Sequence, residues 1–245
     1  MDLLLDLGNS RLKWAIADRG RIAADGHIPR PLEPAALAEL EGGLRANRVL
    51  IACVAGSAEL DRLKAWAEDR LTCVPRIFQT GATHGSLRNA YADPARMGVD
   101  RWLAMVGAWE RRAGALVVAD CGTATTLDCI HGDGRHAGGL IAPGRALMVE
   151  SLVNRAPGIR PRPEDPDTAF PATDTGAAVR TGALLSVQAL IERVFHQFST
   201  ATEGAVQLYL TGGDASGVAA GLEVPCELDE ALVFHGMLAV AGSEH

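Results

Sequence analysis

One short pattern occurs twice in the chain, and it constrains the fold more than any other feature. An apolar run ends in Asp6-Leu7-Gly8-Asn9-Ser10, and a second apolar run ends in Asp120-Cys121-Gly122-Thr123-Ala124. In both places the following residues alternate between apolar and polar side chains, which is typical of a strand that folds back along its neighbour. A repeated strand, turn and strand indicates that the chain consists of two similar halves.

The spacing of apolar residues around the repeats is that of an α/β protein. The length of 245 residues allows one large domain or two small ones. Short apolar runs, such as Ala115 to Ala119, predict buried strands. Segments with helical spacing separate these runs, at residues 34–45, 58–71, 100–112 and 175–198. We therefore predict an α/β fold of two lobes, the first comprising residues 1–113 and the second residues 114–245.

Charge and composition exclude several classes of protein. The net charge is −7, and the arginines are scattered, so no basic surface is predicted for nucleic acid. The chain has no run of roughly 18 apolar residues for a membrane-spanning helix, and its first residues do not resemble a secretory signal. The five cysteines are dispersed and form no Cys-x-x-Cys pair, which favours reduced thiols. We expect a cytoplasmic protein that binds neither nucleic acid nor membrane.

The repeated turn has the chemistry of a phosphate-binding loop. Glycine lets backbone N–H groups approach phosphate oxygens, and neighbouring hydroxyl and amide side chains add further donors. The aspartate before the glycine can hold a divalent cation, or its water shell, on the phosphates. A Walker-type string is absent from the sequence. A single copy of the turn would more often be an ordinary hairpin, but two copies favour a nucleotide site.

A second candidate site lies in the string from Tyr91 to Trp102, which combines a phenol, carboxylates and arginine. Arg101 could bind a substrate carboxylate through two parallel hydrogen bonds, and Asp100 could accept a hydroxyl proton. The alternative is structural: Asp93 starts a turn at Pro94, Asp100 caps a helix, and Arg101 pairs with Asp100. Without a neighbouring phosphate site, the structural interpretation is favoured.

Other polar and glycine-rich segments carry weaker signals. Gly138 to Gly144 and Thr211 to Asp214 could let a base or ribose lie against the backbone, or they could be plain turns. His131 and His136 flank a turn, but their spacing across an exposed hairpin is poor geometry for metal ligands. Two cysteines lie beside the aspartates of the second repeat, and we predict that they are structural thiols.

Taken together, four strings resemble the signature set of type III pantothenate kinases: Asp6 to Arg11, Tyr91 to Trp102, Asp120 to Asp128, and Gly138 to Gly144. They occur in the family's order over most of the chain, and only residues 156–173 are unfamiliar. The resemblance implies a fold similar to actin and sugar kinases, with two ribonuclease-H-like lobes, mixed sheets flanked by helices, and ATP in the cleft between them. It also implies transfer of the ATP γ-phosphate to the primary hydroxyl of pantothenate, the first step of coenzyme A biosynthesis.

The resemblance further implies roles for individual residues. The residues that correspond to ATP contacts are Asp6, Gly8, Asn9, Ser10, Lys13, Gly122 and Thr123. The residues that correspond to the pantothenate pocket are Tyr91, Gly98, Val99, Asp100, Arg101 and Thr175. Asp100 corresponds to the proton acceptor, Asp120 to a ligand of a monovalent cation (K⁺ or NH₄⁺), and Asp6 to the Mg²⁺ site, directly or through water. The resemblance also implies a homodimer in which the acceptor pocket is completed near the subunit interface.

Two other functions remain open at this point. The first is a non-catalytic nucleotide-binding regulatory or accessory protein of the same fold. The second is a kinase or phosphatase that acts on another substrate. Asp100 beside Arg101 favours the enzyme, because a pure binder needs no proton acceptor next to an acid-binding arginine.

Overall fold

The chain forms two compact units in the computed structural model, which describes residues 1–41, 46–112, 114–162 and 164–243. Unit 1 comprises Met1–Gly85, Tyr91–Arg111 and Leu232–His245, and unit 2 comprises Ser86–Ala90 and Arg112–Ala231. Unit 1 is therefore built from three separate stretches of chain. Residue 113, where we predict the end of the first lobe, lies outside the described residues.

Unit 1 contains a mixed sheet with the order β3-β2-β1-β4-β5. Its strands are β1 (Asp2–Leu7), β2 (Arg11–Asp18), β3 (Arg21–Pro29), β4 (Arg48–Cys53) and β5 (Arg76–Ile77). The first three strands are antiparallel, whereas β4 and β5 run parallel to β1. The leucines of β1 are fully buried, as expected for a central strand that is covered on both faces. The two-residue strand β6 (Thr83–His84) follows in unit 1, and the two-residue strand β7 (Leu87–Arg88) lies in the short segment that belongs to unit 2.

Unit 2 repeats this topology with the order β10-β9-β8-β11-β12. Its strands are β8 (Ala115–Cys121), β9 (Ala124–Ile130), β10 (His136–Pro143), β11 (Val206–Thr211) and β12 (Glu227–Leu228). Again the first three in chain order are antiparallel and the last two are parallel to the central strand. The predicted α/β fold with two similar sheets is therefore confirmed, and each repeated motif joins the central strand of its sheet to the next strand.

Helices flank both sheets. Unit 1 contains α1 (Pro34–Glu41), α2 (Ser57–Arg70), α3 (Val99–Arg111) and α7 (Leu232–Gly242), and unit 2 contains α4 (Arg145–Arg155), α5 (Thr175–Thr200) and α6 (Ala215–Ala219). The expected continuation of α1 to residue 45 lies outside the described residues. Within the described parts of the chain, no helix combines the length and the apolar character that crossing a membrane requires.

Helix α3 is fixed in unit 1 by a very close contact with α7. A Cβ atom at Gly107 would overlap the backbone oxygen of Leu232, and one at Gly236 would overlap the backbone oxygen of Leu103. Only glycine allows two helix backbones to approach so closely. This contact matters for function because α3 begins within the string from Tyr91 to Trp102.

Candidate active site

The first hairpin, which joins β1 to β2, brings Asp6 and Lys13 together. The two residues are directly opposite in the antiparallel register, and the side chains of such a pair point to the same face. Asp6 is only 7% exposed. The turn is closed by a 3.1 Å hydrogen bond from the Gly8 N–H to the Arg11 oxygen. The structure therefore places a carboxylate and an ammonium group beside a glycine turn, as the sequence predicts.

Arg30, which immediately follows β3, holds this hairpin and was missed by the sequence analysis. Its Nη1 donates to the backbone oxygens of Gly8, at 3.1 Å, and Asn9, at 2.9 Å. Its backbone N–H donates to the Ser10 oxygen at 3.1 Å. Three consecutive carbonyl groups of the turn are thereby fixed. The Glu59 carboxylate lies 3.7 Å from the same guanidinium and balances its charge.

The second hairpin, which joins β8 to β9, is covered by the glycine that precedes α4. The Gly144 N–H donates to the Thr123 oxygen at 2.9 Å. A Cβ atom at Gly144 would overlap the backbone oxygen of Gly122. The hairpin itself is closed by a 3.1 Å bond from the Gly122 N–H to the Ala124 oxygen. The glycine-rich exit of β10 is therefore built for close approach to this hairpin and is not a plain turn.

The loop after β11 packs on the same hairpin from another direction. A Cβ atom at Gly212 would overlap both the Asp120 carboxylate and the Cys121 backbone, and the φ angle of Gly212 is +98°. The Asp214 N–H donates to the Cys121 oxygen at 2.9 Å. Thr211 is opposite Asp120 in the parallel register, and its buried hydroxyl has no hydrogen-bond partner among the described residues. The loop after β11 therefore packs directly against Asp120 and the residue that follows it.

The thiols near these carboxylates are poor nucleophiles. Burial raises the pKa of Cys121 to about 12, and the charges of Asp120 and Asp214 act in the same direction. Burial and the charge of Asp128 raise the pKa of Cys129 to about 12 as well. Both thiols stay protonated at neutral pH, in agreement with their prediction as structural cysteines.

Asp93 has the structural role that the sequence allows. Its Oδ1 accepts a 3.1 Å hydrogen bond from the Ala95 N–H and caps a short 3₁₀ helix, Pro94–Arg96. The Thr80 hydroxyl donates to the Met97 oxygen at 2.7 Å and fixes the end of this turn. The first part of the string therefore serves to position the residues that follow it.

Asp100 does not cap α3, so that prediction is wrong. The helix begins at Val99, and the Trp102 N–H donates to the Gly98 oxygen, which places Asp100 within the first turn. The Asp100 Oδ1 accepts a 2.8 Å bond from the Arg101 N–H. A Cβ atom at Gly98 would lie only 2.6 Å from this Oδ1, so glycine is what leaves room for the carboxylate.

The electrostatic environment of Asp100 makes it a stronger base than an ordinary carboxylate. Burial raises the pKa of Asp100, while the Arg101 N–H and the charges of Arg101 and Lys13 partly offset that rise. A carboxylate with a raised pKa is better suited to accept a proton near neutral pH. Because Lys13 belongs to the first hairpin, the two candidate sites of unit 1 interact electrostatically.

Arg101 is buried beside Tyr91. Its side chain is 6% exposed, its Nη1 donates to the Tyr91 hydroxyl at 3.2 Å, and its Cζ lies 5.9 Å from the centre of the Tyr91 ring. A guanidinium group has five N–H donors in a planar fork, a geometry that suits carboxylate and phosphate groups. Five of the six residues predicted for an acceptor pocket, all except Thr175, thus lie at the start of α3 or contact it.

Thr175 is the first residue of α5, and it belongs to unit 2, whereas the string from Tyr91 to Trp102 belongs to unit 1. Asp174 caps the helix by accepting a 2.9 Å bond from the Ala177 N–H. Asp165, in the unfamiliar segment before α5, lies where a Cβ atom of Gly176 would be. That segment therefore packs directly against the helix terminus that presents Thr175.

Each hairpin, taken by itself, has the chemistry of a site for phosphate and magnesium. The glycine turns of both hairpins, and the two glycine loops packed on the second, leave backbone close to where phosphates would bind. Mg²⁺ is usually held by one or two carboxylates together with substrate phosphates and water. Asp6 and Asp120 supply such carboxylates, although no group of three or more metal-ligating side chains occurs among the described residues.

Comparison with known proteins identifies a family that this chain matches over most of its length. The model of the type III pantothenate kinase family matches residues 2–197. A type III pantothenate kinase of Nitrosococcus oceani is 36% identical over 250 residues, which cover 98% of this chain and 94% of the relative. One from Burkholderia mallei is 38% identical over 261 residues, which cover 99% of this chain and all of the relative.

Solved structures with low sequence identity share the fold. A protein described as a conserved putative Baf family transcriptional activator from Campylobacter jejuni matches with a TM-score of 0.60 and 21% identity, over 99% of this chain and 100% of that chain. A putative 2-dehydro-3-deoxygalactonokinase from Sinorhizobium meliloti matches with a TM-score of 0.56 and 15% identity, over 99% of both chains. The predicted likeness to the sugar kinase fold is confirmed.

Proposed function

Because the chain belongs to the type III pantothenate kinase family, we propose that its two hairpins and its Tyr91 to Trp102 string together transfer the γ-phosphoryl group of ATP to the primary hydroxyl of pantothenate. The product is 4′-phosphopantothenate, and the reaction is the first step of coenzyme A biosynthesis. The observation that carries this proposal is the partly buried Asp100, whose raised pKa suits a proton acceptor and beside which Gly98 leaves room for the carboxylate.

The acceptor is held and activated by residues of α3 and the string before it. Arg101 binds oxygen atoms of the anionic acceptor through its planar guanidinium group, and Tyr91, whose hydroxyl accepts a hydrogen bond from Nη1, fixes the plane of that group. Gly98 and Val99 form the wall beside Asp100, and Thr175 contributes a hydroxyl contact to pantothenate. As the acceptor oxygen bonds to the γ-phosphorus, the bond from that phosphorus to the leaving oxygen of ADP breaks. The hydroxyl proton passes to Asp100.

The nucleotide is held by the hairpins. Backbone N–H groups and side chains at Gly8, Asn9, Ser10, Gly122 and Thr123 bind the phosphates, and Lys13 adds a positive charge. Mg²⁺, when bound near Asp6, neutralises phosphate charge and orients the γ-phosphoryl group. Arg30 keeps the first hairpin in the shape that this contact needs, through its bonds to three successive carbonyl groups.

An assay on purified protein tests the proposed function. ATP, pantothenate, Mg²⁺ and K⁺ are supplied, and both ADP and the acceptor product are measured, with the product identified by its mass. We expect formation of phosphopantothenate in equal amount to ADP. ADP formation without phosphopantothenate, or no turnover at all, would overturn the proposal and favour a non-catalytic or differently directed relative.

Activity is expected to require K⁺ or NH₄⁺, with Asp120 as a ligand of the ion. A hard monovalent cation prefers oxygen ligands, and Asp120 is beside the buried hydroxyl of Thr211. Replacing K⁺ with Na⁺ at constant ionic strength should remove most of the turnover, with the product quantified directly by mass spectrometry. Full activity in a Na⁺ buffer free of K⁺ and ammonium would count against this role of Asp120.

Gly144→Ala is expected to raise the KM for ATP by roughly ten- to a hundredfold, because the new Cβ would push the second hairpin away from its position. The KM for pantothenate should change far less, since Gly144 is not part of the acceptor string. Gly182→Ala is the matched control: Gly182 is an exposed residue of α5 with open space around its Cβ position. Equal effects of the two substitutions would refute the role of Gly144.

A homodimer fits the distribution of exposed apolar side chains. Most of the large ones lie in β10, α4, α5 and the segment between the two helices, all within unit 2: Leu140, Ile141, Leu147, Leu152, Phe170 and Leu185. Such exposure is typical of surfaces that associate with another protein.

A reducing, cytoplasmic environment fits the five cysteines, which are all free.

A further inference from the structure

The segment directly before Tyr91 is attached to unit 2, although Tyr91 itself belongs to unit 1. This segment, Ser86–Ala90, leaves unit 1 after Gly85 and returns to it at Tyr91. Leu87 is fully buried, and the Arg88 N–H donates to the Gly134 oxygen at 2.8 Å. The segment therefore runs along the turn between β9 and β10, and its last residue sets the starting point of the acceptor string.

A buried histidine holds the end of this segment. The Ala90 N–H donates to Nδ1 of His136 at 3.4 Å, and Nε2 of His136 lies 3.0 Å from Oδ1 of Asp128. The His136 side chain has 0% exposure, and that of Asp128 has 3%. Because a backbone amide can only donate, Nδ1 must carry the lone pair, so the ring proton is on Nε2 and faces the carboxylate. Asp128 thereby selects the tautomer that can accept from Ala90.

Local strand geometry explains why His136 points inward. The register of β9 and β10 shifts between His136 and Gly138, and Gly138 has a φ angle of +113°. Such a bulge changes the direction of a side chain relative to a regular strand. On β9, Leu127 belongs to the apolar cluster under the sheet, and the alternation of side chains directs Asp128 to the opposite face. The bulge and the alternation bring the two polar side chains together.

We propose that His136 is a positioning residue of the acceptor site: by fixing the peptide group of Ala90, it sets the orientation of Tyr91 and, through the phenol, of the Arg101 guanidinium. This inference rests on the proposed function for its kinetic consequences. Strand β9, which carries Asp128, also begins at the second hairpin. One strand of unit 2 thus carries both a nucleotide loop and the anchor of the acceptor string.

His136→Gln separates positioning from folding. The glutamine amide can still donate to Asp128 from about the place of Nε2, but no acceptor remains at the place of Nδ1. Loss of one neutral hydrogen bond corresponds to a change of about three- to tenfold. We expect the KM for pantothenate to rise by this factor, while kcat and the KM for ATP stay within about twofold, and backbone hydrogen exchange becomes faster at residues 87–91.

Arg88→Ala is the matched control on the same segment. The Arg88 side chain contacts Asp133 at the surface, through the carboxylate at 3.5 Å and the backbone oxygen at 3.4 Å. Exposed contacts of this kind contribute little stability, and the variant keeps the backbone bond to Gly134. It should leave kinetics and hydrogen exchange at their wild-type values. An equal effect of Arg88→Ala and His136→Gln would overturn the inference, because any disturbance of the segment would then suffice.

A double-mutant cycle with Tyr91→Phe tests the route of the effect. If His136 acts through the phenol, His136→Gln should raise the KM for pantothenate less in the Tyr91→Phe protein than in the wild type. The inference would be overturned if the effects of the two substitutions on the KM for pantothenate were fully additive. It would also be overturned if His136→Gln changed neither this KM nor hydrogen exchange, or if it raised the KM for ATP equally. Hydrogen exchange needs no turnover, so an inactive wild type would refute the proposed function while the exchange comparison still decides the role of His136.

Discussion

Asp100→Asn is expected to lower kcat by on the order of 10²–10⁴-fold, because transfer of a phosphoryl group to a hydroxyl requires a group that accepts the proton. Asparagine has nearly the same shape and keeps the oxygen that accepts the Arg101 N–H, but it has no basicity. The measurement is steady-state kinetics with both substrates varied. Nearly unchanged turnover would exclude Asp100 as the proton acceptor.

The stability of this variant provides an internal control. Burial raises the pKa of Asp100 in the folded protein, so the folded state favours the protonated form, and stability is lost as the pH rises through that raised pKa. Asparagine is uncharged and removes this cost, so the unfolding temperature at neutral pH should be equal to or higher than that of the wild type. Asp93→Asn, in the exposed turn of the same string, should retain normal turnover.

The pH dependence of the wild type follows from the same shift. A proton acceptor must be ionised, so kcat/KM should fall as the pH drops through the pKa of Asp100. Since that pKa is raised, the acidic limb of the profile should lie above the usual range of a carboxyl group.

Arg101→Gln is expected to lower kcat/KM for pantothenate by about 10²- to 10³-fold, which is the size of effect seen when one partner of a buried, hydrogen-bonded charge pair is removed. Arg101 is 6% exposed, so little water can replace its charge at an anionic acceptor. Most of the loss should be in the KM for pantothenate, and the KM for ATP should change little. A fluorescence or calorimetric measurement of pantothenate binding would check the same effect without turnover.

The control for this prediction lies in the same string. Arg96 is exposed at the end of the 3₁₀ turn, and Arg96→Gln removes an equal charge from the same region. It should change kcat/KM by no more than about twofold, as most exposed surface substitutions do. If both substitutions weaken pantothenate binding equally, long-range attraction of the anion, and not direct contact with Arg101, would explain the effect.

The sequence predicted the parts of the fold whose residues carry a local pattern. Both repeated hairpins have an apolar strand, a glycine turn and an alternating return strand, and all three signals depend only on near neighbours. By contrast, β3 and α4 were not predicted: most of β3 is exposed, and α4, although it contains apolar side chains, has no fully buried residue. Their positions depend on the strands and helices around them.

In the candidate site too, the residues that could be predicted were those that belong to a recognisable local string. Asp6, Asp120 and Asp100 occur in strings whose composition already indicates phosphate or proton chemistry. The predicted role of Asp100 as a helix cap was wrong because the helix begins one residue earlier than expected. The carbonyl of Gly98 accepts the first helical hydrogen bond, so α3 starts at Val99 and already includes Asp100. Arg30 gave no signal, because its partners are distant in the chain. His136 was considered only as a metal ligand, because its contact with Ala90 is distant in the chain and depends on a bulge.

The close contact between α3 and α7 has a consequence for the order in which this protein can be made. During synthesis, α3 leaves the ribosome before any of α4, α5 or α6, whereas α7 leaves after the whole of unit 2. Unit 2 is a nearly continuous stretch of chain and can fold while the chain is still growing. The close contact between α3 at Gly107 and α7 can form only after Gly236 has been synthesised. The helix that carries Asp100 and Arg101 is therefore synthesised well before α7, the helix against which it packs most closely.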